Sequence, residues 1–366
     1  MTRAEEVQLK LGRLRSFMAE RRLDAVLLRT QANFAWITAG GDNHVGIASD
    51  AGVADVLVTP DAALILTTNI EACRIETEEV ESLGFDVRSF NWWEDMAAEI
   101  EPMLVGRRTA ADLSFGDAHV MPDDIARLRW QLTEPEIERY RYAGEVVGEV
   151  LGDVCRAVRP GETEAAIAGR LANGLLAGDL IPGVVLVATD GRVFSWRHPI
   201  PKADEALERY AMLVVCGRYQ GLWACATRLV HFGPLSEELK QRQEVVARVD
   251  ATFIACTRAG APVQDIWNKA LQAYADGGYP SEWQLHHQGG ATGYAPREYK
   301  ATPTLQETVL EHQAFAWNPS VQGTKSEDTI IATTGRPEVL TQTAQWPMVD
   351  VVVDGEVWPR PGILVR

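Results

Sequence analysis

The sequence contains little cysteine and no long apolar run. Its 366 residues include 5 cysteines, an odd number without any C-x-x-C spacing, so neither a disulfide framework nor a structural zinc module is indicated. Nowhere do about eighteen apolar residues follow one another, as a membrane-spanning helix requires. The charged start, MTRAEEVQLK, lacks the apolar core of a signal peptide. We therefore expect a cytoplasmic protein with reduced thiols.

Basic charge is also scarce. The formal net charge is -16 at pH 7, from 51 acidic and 35 basic residues, and no basic stripe offsets it locally. Such a surface repels polyanions at long range, which argues against nucleic acid and anionic membranes as partners. A small-molecule or short-peptide substrate is compatible with this charge.

The order of the predicted elements divides the chain into two domains. Residues 1–130 alternate helical and strand patterns, with AVLLRT, ADVLVTP and AALILTT as buried strands, which is typical of an α/β domain. Thr133 and Glu136 have the spacing of a capping box and predict the start of a long helix in the second domain, residues 131–366. In that domain a helix, a break and a second helix occur twice, each time before β-rich sequence. The second domain is therefore predicted to have two similar halves, with a site where they meet.

Six motifs follow one another along the second domain. They are RPGETEAAIAGRL, RHPIP, the Tyr219-Gln220-Gly221 turn followed by Thr227-Arg228, HHQGG, WNPS and SEDT. In this order they resemble the pita-bread metallopeptidase family of aminopeptidase P, prolidase and creatinase. The stretch LDAVLLRTQANFAWITAG resembles the N-terminal domain of creatinase and prolidase. The resemblance implies an α/β N-terminal creatinase/prolidase-like domain, an α+β pita-bread C-terminal domain with an internal pseudo-twofold repeat, and a homodimer.

The resemblance also implies where metal ligands would stand. Peptidases of this family hold two divalent ions with two aspartates, a histidine and two glutamates. Here His287 stands at the histidine position and Glu327 at the second glutamate, whereas Asn318 replaces the first glutamate. Cys225 replaces the second aspartate.

The first aspartate position depends on the register of the β-hairpin. A gapless count from Cys225 gives Val214, and a slip of two residues gives Cys216. Two adjacent cations need several anionic oxygens to offset their repulsion, so we expect no dinuclear metal site and no cofactor. Cys225, His287 and Glu327 could still hold one zinc ion, because thiolate, imidazole and carboxylate are zinc ligands. Against this, a cysteine on a packed strand usually serves as a small hydrophobe.

Two histidines and one carboxylate are candidates for acid and base chemistry. His198 in RHPIP matches the family histidine that faces the substrate, and an imidazole transfers protons readily around neutral pH. The alternative for His198 is a loop imidazole without a role. The glycines after His287 let the backbone approach a ligand closely, while His286 is interpreted as structural. We assign His198, His287 and Glu327 as catalytic residues.

Further residues are assigned to substrate binding, namely Arg297, Asn318, Tyr294 and Cys225. Arg297 suits a substrate carboxylate, although it could equally form a surface ion pair, and Tyr294 is the alternative residue at the same family position. Asn318 offers a donor and an acceptor, although Asn before Pro is also a common turn signal. Arg297 and Lys325 are the basic residues expected to neutralise Glu327.

Three functions are compatible with these residues. The leading hypothesis is a metal-independent hydrolase of a C–N bond, an amide or amidine, in a small substrate, because creatinase is the family precedent for such hydrolysis without metal. The alternative is a non-catalytic peptide- or ligand-binding protein, by analogy with the peptidase-like domain of the histone chaperone FACT. The third is an Xaa-Pro metallopeptidase with altered ligands. All three depend in part on fold analogy.

Overall fold

Two compact units make up the chain. The computed structural model describes all 366 residues, and these group into Met1–Glu136 and Ile137–Arg366. The division falls inside α6 (Glu134–Ala157), the long helix that the capping box opens. The Thr133 backbone N–H donates to Glu136 Oε2 over 2.7 Å, and the Glu136 N–H donates to Thr133 Oγ1 over 3.4 Å, as the spacing predicts.

The first unit is built around a six-stranded mixed sheet. Its elements in chain order are α1 (Arg3–Arg21), β1 (Ala25–Thr30), α2 (Gln31–Ile37), β2 (Ala51–Val58), β3 (Ala63–Thr68), α3 (Ala72–Arg74), a π-helical turn (Ile75–Glu79), β4 (Asp86–Phe90), α4 (Met96–Leu104), β5 (Thr109–Ala111), β6 (His119–Val120) and α5 (Pro122–Arg127). The strand order is β4-β3-β2-β1-β5-β6, in which β2 is antiparallel to both neighbours and the other pairs are parallel. The three apolar runs identified in the sequence form β1, β2 and β3, so the α/β prediction is confirmed.

The second unit contains two larger sheets. Its elements after α6 are α7 (Glu164–Ala177), β7 (Ile181–Thr189), α8 (Gly191–Ser195), β8 (Tyr210–Tyr219), β9 (Leu222–His231), α9 (Glu237–Cys256), α10 (Val263–Asp276), a 3₁₀ turn (Glu282–Leu285), β10 (Gly289–Thr292), β11 (Tyr299–Lys300), β12 (Ala314–Trp317), β13 (Ser320–Val321), β14 (Thr324–Lys325), β15 (Asp328–Ile331), β16 (Glu338–Val339), β17 (Met348–Val353), β18 (Glu356–Pro361) and β19 (Ile363–Val365). The sheet orders are β19-β9-β8-β7 and β11-β10-β12-β15-β16, while β13–β14 and β17–β18 form two-stranded ribbons.

The two predicted helix pairs occur as α6–α7 and α9–α10. The first pair precedes the strands of the four-stranded sheet, and the second precedes those of the five-stranded sheet. This repetition confirms the predicted α+β architecture with two similar halves. No helix in the chain has both the length and the apolar composition needed to cross a membrane.

A two-residue turn sets the register of the β8–β9 hairpin. Gln220 and Gly221 have φ angles of 46° and 85°, as in the type I′ turns that match the twist of antiparallel strands. The strands pair without interruption from this turn, which places Cys216 directly opposite Cys225. The turn therefore determines which side chains of the hairpin face each other near the site.

Aromatic stacking holds β12 against α9. Phe253 of α9 stacks on Trp317 with ring centroids 4.3 Å apart, and Phe315 stacks on Trp317 at 5.5 Å. The Trp317 indole N–H donates to Thr257 Oγ1 over 2.9 Å, so its polar atom is satisfied inside the core. Because strand residues alternate between faces, the residues on either side of Trp317 point away from this core.

Replacing Gly148 of α6 by alanine should destabilise the second unit. A Cβ there would stand 2.0 Å from the Gln342 carbonyl oxygen, and a packed backbone atom cannot move aside cheaply. We expect urea denaturation to show a loss of about 1–3 kcal/mol in the free energy of unfolding. Gly169→Ala on α7 is the matched control, because nothing lies within 4 Å of its Cβ. That variant should be neutral or more stable by up to about 1 kcal/mol, and equal stability of the two variants would contradict this packing.

Candidate functional site

The candidate site lies in the second unit, where one strand from each larger sheet meets. The Thr227 N–H of β9 donates to the carbonyl oxygen of Glu327, just before β15, over 3.1 Å. The Thr227 hydroxyl also donates to Glu327 Oε2 over 2.7 Å. One threonine thus holds both the backbone and the side chain of Glu327, which is buried.

Two basic side chains neutralise Glu327. Lys325 Nζ lies 2.7 Å from Glu327 Oε2, and Arg297 Nη2 lies 3.4 Å from Oε1. Burial raises the pKa of Glu327, but Lys325, Arg297 and the Thr227 hydroxyl outweigh burial, and the pKa ends below its usual range. Glu327 is therefore a buried carboxylate anion, and both partners expected for it from the sequence are present.

The hairpin places two cysteines beside this carboxylate. Cys216 Sγ, Cys225 Sγ and a carboxylate oxygen of Glu327 all lie within 4.8 Å of one another. Val214, the residue that the gapless count gives, packs instead in an apolar cluster with Leu229. Residues two apart on a strand share a face, so counting alone could not decide between them. In space, Cys216 is the residue next to Glu327.

Arg297 is largely buried between Cys225 and Glu327, so it is not the surface ion pair considered from the sequence. Its side chain is 11% exposed, and Nη1 donates to Cys225 Sγ over 3.7 Å while Nη2 reaches Glu327. Arg297 Nε is buried and has no hydrogen-bond partner in the protein. Tyr294, the alternative at the same family position, is also buried.

Asn318 directly follows β12 in the chain. Ala316, two residues earlier, packs against Cys216 and Cys225. The Asn318 backbone N–H donates to the Gln288 carbonyl over 3.1 Å, so strand pairing continues through this residue. Its Oδ1 is buried without a hydrogen-bond partner. An unpartnered buried acceptor is costly, and it marks a position for a donor from a ligand or from water.

Three imidazoles form a second group next to Lys325. The Nε2 atoms of His198 and His286 lie 3.0 Å apart, and ring nitrogens of His198, His286 and His287 all lie within 4.8 Å of one another. His286 Nδ1 is 3.3 Å from Ser320 Oγ. A cavity of about 10 Å³ has both His286 and Lys325 in its lining, which places the imidazoles beside the charged cluster.

His286, which the sequence predicts to be structural, lies next to the predicted catalytic residue His198. Its Nε2 is the imidazole nitrogen that contacts the His198 ring directly. His287 instead accepts a hydrogen bond at Nδ1 from the Gly289 N–H over 3.3 Å, and its ring centroid is 5.7 Å from that of His198. The doubled histidine in HHQGG was the available signal, but adjacent residues point in different directions and only the fold shows which one reaches His198.

All three imidazoles are kept in the neutral form. Burial lowers the pKa of His286 far below its usual range, that of His287 to about 4, and that of His198 to a lesser extent. The positive charge of Lys325 acts in the same direction on all three rings. At neutral pH each ring is therefore uncharged and has one nitrogen able to accept a proton.

Two groups of side chains have donor atoms close enough to share a metal ion. They are the three imidazoles and the group of Cys216, Cys225 and Glu327. The zinc set considered from the sequence is not assembled, because His287 belongs to the imidazole group. Lys325 faces the imidazoles, and the carboxylate of Glu327 is already bonded to cations. A metal ion at Glu327 would therefore have to compete with these two cations.

Two family models match the chain. The model of metallopeptidase family M24 matches residues 138–334, more than half of the sequence. The chain belongs to metallopeptidase family M24. The model of the creatinase/prolidase N-terminal domain matches residues 10–141. Together they confirm the resemblance that the motifs indicated.

Relatives and solved structures extend over most of this M24 chain. An uncharacterized peptidase of Staphylococcus haemolyticus (strain JCSC1435) is 26% identical over 313 residues, which are 76% of this chain and 87% of the relative. The prolidase from Pyrococcus horikoshii OT3 has a TM-score of 0.78 at 19% identity, covering 91% of this chain and 98% of its own. The N-terminal domain of FACT complex subunit SPT16 from Cicer arietinum (chickpea) has a TM-score of 0.72 at 13% identity, covering 93% and 97%. At these identities the structures show a shared fold and not a shared activity.

Replacing His286 by glutamine should flatten the acid dependence of stability. Because the pKa of His286 is lowered in the folded chain, only the unfolded chain binds this proton just below about pH 6.5, and stability falls as the pH falls. Urea midpoints measured between about pH 7 and about pH 5 should therefore change less in H286Q than in the unsubstituted protein. H119Q, which replaces an exposed imidazole of the first unit, serves as control. Its urea midpoint should change with pH as much as that of the unsubstituted protein. Equal slopes in the two variants would contradict the neutral state of His286.

Proposed function

We propose that the protein hydrolyses a C–N bond, an amide or amidine, in a small substrate without the two metal ions of M24 peptidases. The observation that carries this proposal is that Lys325 and Arg297 bind both oxygens of Glu327. Two neighbouring divalent ions need bridging and terminal anionic oxygens. The candidate ligands next to Glu327 are two cysteines, and Asn318 offers only a neutral amide, so the residues present do not fit a pair of ions.

The unpartnered atoms of the site complement an amide or amidine. Arg297 Nε is a donor and Asn318 Oδ1 is an acceptor, and both are buried without partners. An amide offers a carbonyl acceptor and an N–H donor, which are the kinds of group that these two atoms lack. A buried cationic donor such as Arg297 also stabilises the negative charge that develops on oxygen when water adds to a carbonyl carbon.

His198 is placed for acid and base catalysis. Its imidazole is exposed to solvent on one side and lies 3.0 Å from His286 on the other. In the proposed reaction, neutral His198 takes a proton from the water that attacks the carbon, and the same proton passes to the nitrogen as the C–N bond breaks. His286 is a positioning residue in this scheme, since it contacts the His198 ring. A ring nitrogen of His287 lies within 4.8 Å of one of His198, so the proposal includes His287 as a second group that carries a proton.

A second candidate function needs no catalysis. The cavity beside His286 and Lys325 has a volume of about 10 Å³, room for about one water molecule. The second candidate is a non-catalytic protein that binds a small molecule or short peptide, because the unpartnered atoms Arg297 Nε and Asn318 Oδ1 require a ligand and not a reaction. We retain the expectations of a homodimer and a cytoplasmic location as part of the proposal.

Purified protein should contain less than one transition-metal ion per chain, because basic side chains occupy the carboxylate of Glu327. Elemental analysis of protein never exposed to chelator measures this.

Xaa-Pro dipeptides should also remain uncleaved when Mn²⁺ or Co²⁺ is added, since activating a free water is much harder than activating a metal-bound one. Two ions per chain, or strong metal-stimulated cleavage, would restore the third hypothesis of an Xaa-Pro metallopeptidase.

Replacing His198 or His287 by alanine should remove turnover and leave ligand binding largely intact. A positioned proton-transfer group contributes about 10²–10⁴-fold to the rate, so kcat should fall by that factor in each variant. Small amides, amidines and N-blocked amino acids would first be screened by thermal shift and then assayed for product. H119A, outside the site, is the control and should turn over normally. A ligand that stays unconverted for days and binds more weakly to H287A would exclude the hydrolase and support the binding protein.

A further inference from the structure

Two cysteines of the β8–β9 hairpin are close enough to form a disulfide. Cys216 lies directly opposite Cys225. The Cys225 N–H donates to Thr329 Oγ1 over 2.7 Å, and the Cys225 carbonyl accepts from the same hydroxyl over 3.0 Å. Because both groups bond to Thr329, the cysteines form a non-hydrogen-bonded cross-strand pair, in which opposed Cα atoms are about 4.5 Å apart. Disulfides span Cα separations of about 4.4–6.8 Å, so the bond can close without separating the strands.

The two thiols differ in their surroundings. The hydrogen bond from Cys216 lowers the pKa of Cys225 in spite of burial, and the positive charge of Arg297 acts in the same direction. The same hydrogen bond and burial raise the pKa of Cys216. Arg297 Nη1 contacts Cys225 Sγ at 3.7 Å, so the geometry places a cation against one sulfur of the pair. This contact favours Cys225 over Cys216 as the nucleophile of the pair.

We infer that Cys216 and Cys225 are a redox-active pair that a small peroxide converts into an internal disulfide. The Cys225 thiolate attacks one peroxide oxygen, the O–O bond breaks, and hydroxide leaves while Cys225 becomes a sulfenic acid. The Cys216 sulfur then attacks the Cys225 sulfur, the S–S bond forms, and the departing hydroxyl takes the Cys216 proton as water. The peroxide is reduced, the two thiols are oxidised, and no other reactant is needed.

Burial restricts the reagent, and closure affects the candidate site. Cys225 is fully buried and Cys216 is 7% exposed, so a molecule as small as hydrogen peroxide suits the pair better than a bulky thiol reagent. When the disulfide closes, the Cys225 sulfur beside Arg297 loses its negative charge. Glu327 is then the anionic partner that Arg297 retains. The oxidation state of the pair is thereby coupled to the charge around Glu327.

Peroxide treatment of the reduced, full-length protein tests the inference. Remaining thiols are blocked with N-ethylmaleimide under denaturing conditions, and the protein is digested with trypsin and examined by mass spectrometry. Cleavage after Arg209, Arg218 and Arg228 leaves the two cysteines in separate peptides, residues 210–218 and 219–228. We expect these peptides to be linked, with the loss of two hydrogen atoms, and to separate again after treatment with dithiothreitol.

The buried Cys155 provides the matched comparison. Burial raises the pKa of Cys155 to about 12, so the linked peptides should form at least about tenfold faster than Cys155 is oxidised. C155S should form the link at the original rate, whereas C216S should form none and accumulate sulfinic acid at Cys225. Unlinked peptides in the peroxide-treated protein, or equal oxidation of Cys155 and Cys225, would overturn the inference. The readout needs no substrate, so it is independent of the proposed hydrolysis.

Discussion

A buried carboxylate must be neutralised, and the candidate site is organised around this requirement at Glu327. Removing an ion from water costs several kcal/mol unless close partners compensate. Lys325, Arg297 and the Thr227 hydroxyl all bond to the Glu327 carboxylate. These partners come from β14, from the chain between β10 and β11, and from β9, so one anion ties together segments distant in sequence. The ion cluster around Glu327 therefore holds these segments together as well as balancing the buried charge.

The cations that stabilise Glu327 also set the protonation of the neighbouring groups. Lys325 adds to the burial that lowers the pKa of His198, while Arg297 lies against Cys225 and favours its thiolate. In a chain of net charge -16, this site combines three neutral imidazoles, two adjacent thiols and two basic side chains. The proposed hydrolysis and the inferred thiol chemistry therefore depend on the same two cations.

The fold and part of the site could be predicted because their signals are short and local. Helix pairs, apolar strands and ordered motifs are readable without tertiary contacts, and the charge requirement of Glu327 predicted pairing with Arg297 and Lys325. Cys216 and His286 could not be assigned in the same way. Strand residues two apart share a face, and adjacent histidines differ only in direction, so both choices depend on how the backbone is placed.

The sequence by itself determined the α/β and α+β architecture, because periodicity and motif order are properties of the chain alone. Only the tertiary structure decided that Arg297 is buried against sulfur and carboxylate, that Cys216 faces Cys225, and that His286 meets His198. These contacts join residues far apart along the chain or choose between near neighbours. The energies of these contacts depend on the distances between the groups and on their removal from water. Both are set only when the two sheets pack together.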